Sequence, residues 1–268
     1  MQDLIKHLVK DVMPPRLFRL LKPSNEPTDA WGSARWGLHG SLVLPGNRRF
    51  EYRPCVADRG VCKQIFFLRS YATDTLWRAK EIAAFYEACE NPLIIDAGAN
   101  IGASAVWYAL TYPKAKVVAI EPDISNFALL KRNAASFPQI TPLNAAIAAK
   151  HGTLYLNDPG GGEWAFRTAE QPVDQGYAVD ALTLEDVIPP GVTPFILKID
   201  IEGAESDLFS RHSEVLNTFP LVVIELHDWM LPGESNSRNF LQWHVEMKRD
   251  FVQMGENAIS ISNSIALS

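Results

Sequence analysis

Cysteine is scarce in this chain. Its three residues, Cys55, Cys62 and Cys89, include no C-x-x-C pair. An odd count without metal-ligand spacing argues against a disulfide framework or a zinc–thiolate cluster and fits a reducing, cytoplasmic setting. Long apolar runs are also missing; none reaches the ~18 residues of a spanning helix. No signal-peptide core is expected at the N-terminus, where Lys6, His7 and Lys10 interrupt the apolar residues. There is no basic excess. The formal net charge is −6, which speaks against a dedicated nucleic-acid binder. Internal repeats and low-complexity tracts are absent. The remaining composition, 47% hydrophobic and 21% charged, is that of an ordinary globular protein, long enough for one large α/β domain with an appendage.

Residues 1–60 read as an N-terminal helical and loop extension. Leu4, Ile5, Leu8 and Val9 share a helical face, and Pro14-Pro15 breaks it. Such a helix docks on its own domain or on a second protomer. Its surplus of Lys and Arg makes peripheral contact of residues 1–22 with an anionic membrane the alternative. Short hairpin strands are expected at 42–44 and 50–52, an extended segment at 64–68 and a helix over 75–89.

Residues 61–268 form the main unit, where strands alternate with helices. Strands are predicted at 93–96, 116–121, 140–145, 195–200 and 221–226. Helices are predicted at 103–112, 124–137, near 205–211 and at 236–249. This alternation implies a mostly parallel sheet covered on both faces. The tail, 251–266, reads as two short strands around Asn263. Gly160-Gly161-Gly162, followed by Glu163 and Trp164, reads as a lid or acceptor wall, with an untethered surface loop as the alternative. Tyr71 and Trp77 are candidates for the acceptor side, although a lone Tyr or Trp is more often a core residue.

The segment Leu93-Ile94-Ile95-Asp96-Ala97-Gly98-Ala99-Asn100-Ile101-Gly102 is an apolar strand that ends in an acid, passes two glycines and opens a helix. That is a strand–turn–helix made to meet a nucleoside. The third glycine of the dinucleotide fingerprint is missing, and Asp96 repels a pyrophosphate while suiting a cationic group. This favours S-adenosylmethionine, with its ammonium, over NAD. Gly98 supplies the tight turn, Gly102 lets the helix start pack near the ligand, and Asn100 bonds the ligand or caps the turn. Glu121 stands where an acid accepts ribose hydroxyls, and Asp123 and Phe127 follow where adenine can be met.

A second polar group stands at the ends of two later strands. Lys198, Asp200 and Glu202 alternate with Ile199 and Ile201, so they share one side of an extended chain. Glu225 and His227 flank Leu226, with Asp228 beyond. Charges at the ends of buried strands are costly unless paired or functional. His227 is the first candidate for general base, because its ordinary pKa of ~6.5 is near working pH. Asp200 is the second. Glu202 and Glu205 position cofactor or acceptor. Lys198 neutralises the carboxylates or stabilises a developing alkoxide. A divalent metal on Asp200, Glu225, His227 and Asp228 is a rival that the spacing does not favour.

These motifs resemble the FkbM family of S-adenosylmethionine-dependent methyltransferases over roughly residues 60–265. The resemblance rests on Asp96–Gly102, Glu121-Pro122-Asp123, Asn126-Phe127, Lys198–Glu205 and Glu225–Asp228. It implies a Rossmann-like class I methyltransferase with a seven-stranded sheet whose last strand is antiparallel. It implies that Glu121, in the Glu121-Pro122-Asp123 motif, holds the ribose and that Asn144, Ala145 and Ala146 lie near the adenine. It further implies O-methylation of a small molecule or glycan. The same residues are open to a non-catalytic S-adenosylmethionine-binding or scaffold protein of this fold. Homo-oligomerisation is a further possibility.

Overall fold

The structure is a computed structural model that describes residues 34–37, 40–157, 167–169, 176–210 and 214–265, with 157 and 167–169 by backbone alone. The expected N-terminal helix over 1–22 and the glycine-rich segment 160–164 lie outside the described residues.

In chain order the elements begin with β1 (Arg35–Trp36), β2 (Ser41–Leu44), β3 (Arg48–Glu51), α1 (Val56–Cys62) and α2 (Ala79–Ala88). The alternating unit then runs β4 (Pro92–Ala97), α3 (Ala103–Thr111), β5 (Lys116–Ile120), α4 (Ile124–Ala134) and β6 (Ile140–Leu143). A second, smaller group follows with β7 (Ala146–Ile147), β8 (Gly152–Asn157), β9 (Arg167–Ala169) and β10 (Tyr177–Leu182). The chain closes with α5 (Leu184–Val187), β11 (Thr193–Ile199), α6 (Glu205–Ser210), α7 (Glu214–Asn217), β12 (Leu221–Glu225), α8 (Arg238–Glu246), β13 (Asp250–Met254) and β14 (Asn257–Ile261).

The central sheet has seven strands in the order β13-β14-β12-β11-β4-β5-β6. Neighbours from β12 to β6 pair in parallel, while β14 is antiparallel to both β12 and β13. The strands are near-continuous apolar runs because both faces are covered. Successive side chains enter opposite cores. Ile94, Val117 and Ile196 join Trp107, Tyr108 and Tyr86 on one face. Leu93, Ile95, Val118 and Leu197 join Phe209, Phe240 and Trp243 on the other. The chain leaves β4 toward one edge and β11 toward the other, so the crevice at which the strand order reverses lies above the tips of these two neighbours.

Four features differ from expectation. Lys63–Phe67 is helical, a π turn continuing α1. Its three consecutive buried residues, Ile65, Phe66 and Phe67, mimic a strand, and a short apolar run cannot distinguish the two. The boundary expected after residue 60 falls inside α1, and Leu42, Leu44 and Phe50 pack in the same core as β4. The tail hairpin turns at Gly255-Glu256 rather than Asn263, and its second strand is inserted beside β12. Unforeseen, β7, β10, β8 and β9 form a separate four-stranded sheet.

Candidate functional site

One cleft opens over the tips of β4, β5 and β11, and it joins the first predicted group to Lys198, Asp200 and Glu202 of the second, while Glu225, His227 and Asp228 do not line it. Gly98, Asn100, Glu121, Pro122, Ala145 and Ala146 line it, as do Lys198, Asp200 and Glu202. Asp96, Gly102, Asp123 and Phe127 are not among its lining residues.

The glycine turn is a closed hydrogen-bond system. The N–H groups of Gly98 and Ala99 both donate to the Ile120 carbonyl, at 3.0 and 2.9 Å. The Asn100 N–H donates to Glu121 Oε2 at 2.8 Å. The Ile101 N–H donates to Asn100 Oδ1 at 2.7 Å, and the Gly102 N–H to the Ala99 carbonyl at 2.8 Å. No N–H of residues 98–102 is left to cradle a phosphate. Glycine at 98 is required by the opposite strand. Its φ is 76°, and a Cβ there would lie 1.8 Å from the Asp200 carbonyl oxygen. Gly102, with φ 88°, serves helix packing rather than a ligand, since a Cβ would meet Leu130 Cδ1 at 2.7 Å.

Glu121 is buried yet lines the cleft. Asn100 and Asp123 donate backbone N–H groups to its two oxygens, the latter at 3.0 Å to Oε1. Burial pushes its pKa up to about 7 against these bonds. Asn126, missed as a ligand-facing residue, lines the cleft beside it, and its Nδ2 approaches Glu121 Oε1 at 3.4 Å. Asp123 caps α4, accepting from the Asn126 N–H at 2.7 Å, and accepts from the Tyr177 hydroxyl at 2.9 Å. Phe127 packs against the hydrophobic core.

Asp96, expected to face a cationic ligand, is fully buried. It accepts from Ser104 Oγ at 2.5 Å and pairs with Lys198 Nζ at 3.1 Å. Its charge is neutralised inside the protein because β4 and β11 place Asp96 and Lys198 side by side. Lys198 also donates to the Gly98 carbonyl at 2.6 Å and lies 3.7 Å from Asp200 Oδ2. Burial lowers the Lys198 pKa, but Asp96 and Asp200 outweigh it and the net shift is upward, so the ammonium stays charged. It ties the glycine turn to β11.

His227 is the centre of the second group. Nδ1 lies 2.7 Å from Glu205 Oε1, and Glu205 Oε2 accepts from Asn236 Nδ2 at 2.5 Å. Nε2 faces Glu202 Oε2 at 3.4 Å, with Asp200 Oδ1 and Glu225 Oε1 each at 3.6 Å. Burial would lower the ring's pKa, but the Glu205 hydrogen bond and the charges of Glu205, Asp200 and Glu202 raise it to about 9. Surrounded in this way, the ring favours its protonated form and is a poorer general base than its ordinary pKa implies. The side chains open to the cleft are those of Asp200 and Glu202. Glu202 reaches it on left-handed backbone, φ 52°, strain that clusters at functional sites. Asp228 turns away, its Oδ1 accepting from the Ser237 N–H at 3.3 Å.

Tyr71 lines the cleft as expected, and Trp77 stands fully exposed away from it. Trp229, not singled out from sequence, is half-exposed with its ring 6.3 Å from that of His227. Trp164 lies outside the described residues. Among the described residues, no helix is long and apolar enough to cross a membrane.

The family model described as the methyltransferase FkbM domain matches residues 96–252. A relative from Sordaria araneosa named methyltransferase sdnD is 29% identical over 159 residues, covering 46% of this chain and 61% of that protein. The match thus spans less than two thirds of that relative's length. The hexuronic acid methyltransferase AglP of Haloferax volcanii is 22% identical over 174 residues, 61% of this chain and 71% of that protein. Among solved structures, the METTL16 methyltransferase domain is 12% identical, covering 95% of this chain and 94% of that chain with a TM-score of 0.44.

Proposed function

We propose that this chain, which belongs to the FkbM methyltransferase domain family, moves the methyl group of S-adenosylmethionine to an oxygen of a small molecule or glycan. One observation carries the choice of cofactor. All five N–H groups of the 98–102 turn are consumed internally, while the Glu121 carboxylate, pinned by two backbone N–H groups, is aimed into the cleft. That arrangement offers acceptors to a ribose and nothing to a pyrophosphate.

In this reading Glu121 accepts from the ribose hydroxyls, and Pro122, Ala145, Ala146 and Asn126 frame the base. Gly98 and Asn100 flank the remainder of the cofactor. Asp96 acts from behind, through Ser104 and Lys198. The bound cofactor supplies an electrophilic methyl on a sulfonium. The protein's task is then to align the acceptor oxygen with that methyl and take its proton. Asp200 and Glu202, open to the cleft, accept that proton, and His227 holds their charge in place from below. Trp229, half-exposed next to His227, offers an aromatic face suited to a sugar ring. The hexuronic acid in the name of one relative makes a sugar-acid glycan the first acceptor to try.

Calorimetric titration with S-adenosylhomocysteine and with NAD tests the cofactor. Saturable 1:1 binding of the first alone is expected; binding of NAD alone would overturn the reading. Incubation with S-adenosylmethionine and uronic-acid oligosaccharides, followed by mass spectrometry, tests the acceptor.

A further inference from the structure

We infer that the tips of β11 and β12 hold a divalent transition-metal ion, with Asp200, Glu202 and His227 as ligands and Glu225 at its rim. His227 carries the inference. Its side chain is fully buried, and Nε2 points into the cluster without a hydrogen-bond partner. An unmet buried polar atom costs about 1–3 kcal/mol. The carboxylate oxygens of Glu202, Asp200 and Glu225 stand 3.4, 3.6 and 3.6 Å from it. Those separations exceed ordinary hydrogen bonds. They match the edge of a coordination polyhedron, since donors bonded at ~2.0–2.2 Å to one ion lie ~3.0–3.6 Å apart. One donor atom each from Asp200, Glu202 and His227 falls within 4.8 Å of the others.

The back of the ring gives independent support. Nδ1 is 2.7 Å from Glu205, which is itself fully buried and held by Asn236. A carboxylate that fixes ring and tautomer from behind is how metal-bound histidines are oriented. It leaves Nε2 facing the oxygens as the ligand atom, with the ion taking the place of the proton that the same carboxylates favour there without it. One imidazole among carboxylates suits Mn²⁺, Fe²⁺ or Zn²⁺ better than Ca²⁺. Asp228, a candidate ligand from its place in sequence, takes no part. Such an ion would make an acceptor hydroxyl more acidic and fix its oxygen beside Asp200. That role rests on the methyl-transfer reading; the site does not.

The test is Mn²⁺ binding by the full chain after EDTA treatment, read by electron paramagnetic resonance of free Mn²⁺ and by calorimetry. One ion per chain is expected. His227→Gln and Glu202→Gln should each weaken binding on the order of 100-fold, Glu205→Gln by ~10–100-fold, and Asp228→Asn should leave it unchanged. The Glu202 side chain is part-exposed, so its variant reports even if His227→Gln does not fold. Absence of saturable binding, or equal binding by wild type and Glu202→Gln, overturns the site. S-adenosylhomocysteine titrated into the same samples separates the claims. Nucleoside binding without Mn²⁺ overturns only the metal, and Mn²⁺ binding without nucleoside overturns only the methyl-transfer reading.

Discussion

The two ends of the crevice are built on opposite principles. Over β4 and β5 every N–H of the glycine turn has an internal acceptor, and the one carboxylate facing the cleft is held by two backbone donors. Over β11 and β12 four carboxylates crowd a single imidazole. The first end is preorganised and electrically quiet, so it binds without rearranging. The second gathers acids around one ring in a mostly buried place, the kind of charge cluster found at functional sites. Binding and reaction are thus separable by mutation, except where the two ends touch.

They touch through Lys198 and at Gly98, and at Gly98 the largest effect is expected. Gly98→Ala drives a Cβ to within 1.8 Å of the Asp200 carbonyl on left-handed backbone. Loss of about 4 kcal/mol or more is expected, enough to abolish soluble protein. Gly102→Ala meets a movable Leu130 side chain first and should cost less. Comparable thermal melts for the two variants would break the view that the ends share one backbone contact.

Next in size is Asp200→Asn. The proposed proton acceptor loses its charge, while Lys198 keeps its partners Asp96 and Gly98 at the cofactor end. Turnover should fall about 10²–10³-fold, with S-adenosylhomocysteine affinity within about twofold of wild type. Equal losses in both would show that the two ends are one.

Glu121 inverts that pattern. Glu121→Ala removes an acceptor of charge-assisted bonds, each worth about 1.5–3 kcal/mol, so cofactor affinity should drop on the order of 100-fold. Its titration gives a pH signature as well. Burial raises the carboxyl from 4.5 to about 7, so the folded state binds the proton more tightly than the unfolded chain. That contribution to stability is full below 4.5 and is lost as pH rises through 7. Urea unfolding of the ligand-free protein should show about 3 kcal/mol less from this group at pH 8 than at pH 4.5. Glu121→Gln should flatten that part of the profile. Parallel wild-type and variant profiles would mean that Glu121 titrates as in water.

Much of this was legible in the sequence because the requirements are local. The acid–glycine turn, Glu121 and the alternating acids after Lys198 each mark a strand tip by chemistry that a core rejects. What was not legible is set across strands. Asp96 looks like a ligand to a cation until β11 puts Lys198 beside it. Gly98 looks free to serve a ligand, but the Asp200 carbonyl occupies the space of its Cβ. His227 reads as a neutral base near its ordinary pKa until the fold gathers Glu205, Glu202, Asp200 and Glu225 around it. Trp229 gave no local signal at all. The helix over 56–67 hid because its cap is Cys55 Sγ, outside the usual capping residues.

The smallest expected effect asks how far the quiet end extends. The Tyr177 hydroxyl, on the second sheet, donates to Asp123 at 2.9 Å and accepts from the Ile124 N–H at 3.2 Å. Asp123 caps α4, and its own N–H holds Glu121. Tyr177→Phe removes both bonds, but Ile124 is exposed, so water replaces the second. The cost should be about 1 kcal/mol. If the second sheet helps to set Glu121, that cost appears as about a fivefold weaker S-adenosylhomocysteine Kd with kcat unchanged. If the sheet is only a neighbour, the melting temperature falls while Kd stays the same, and the cofactor end stops at α4.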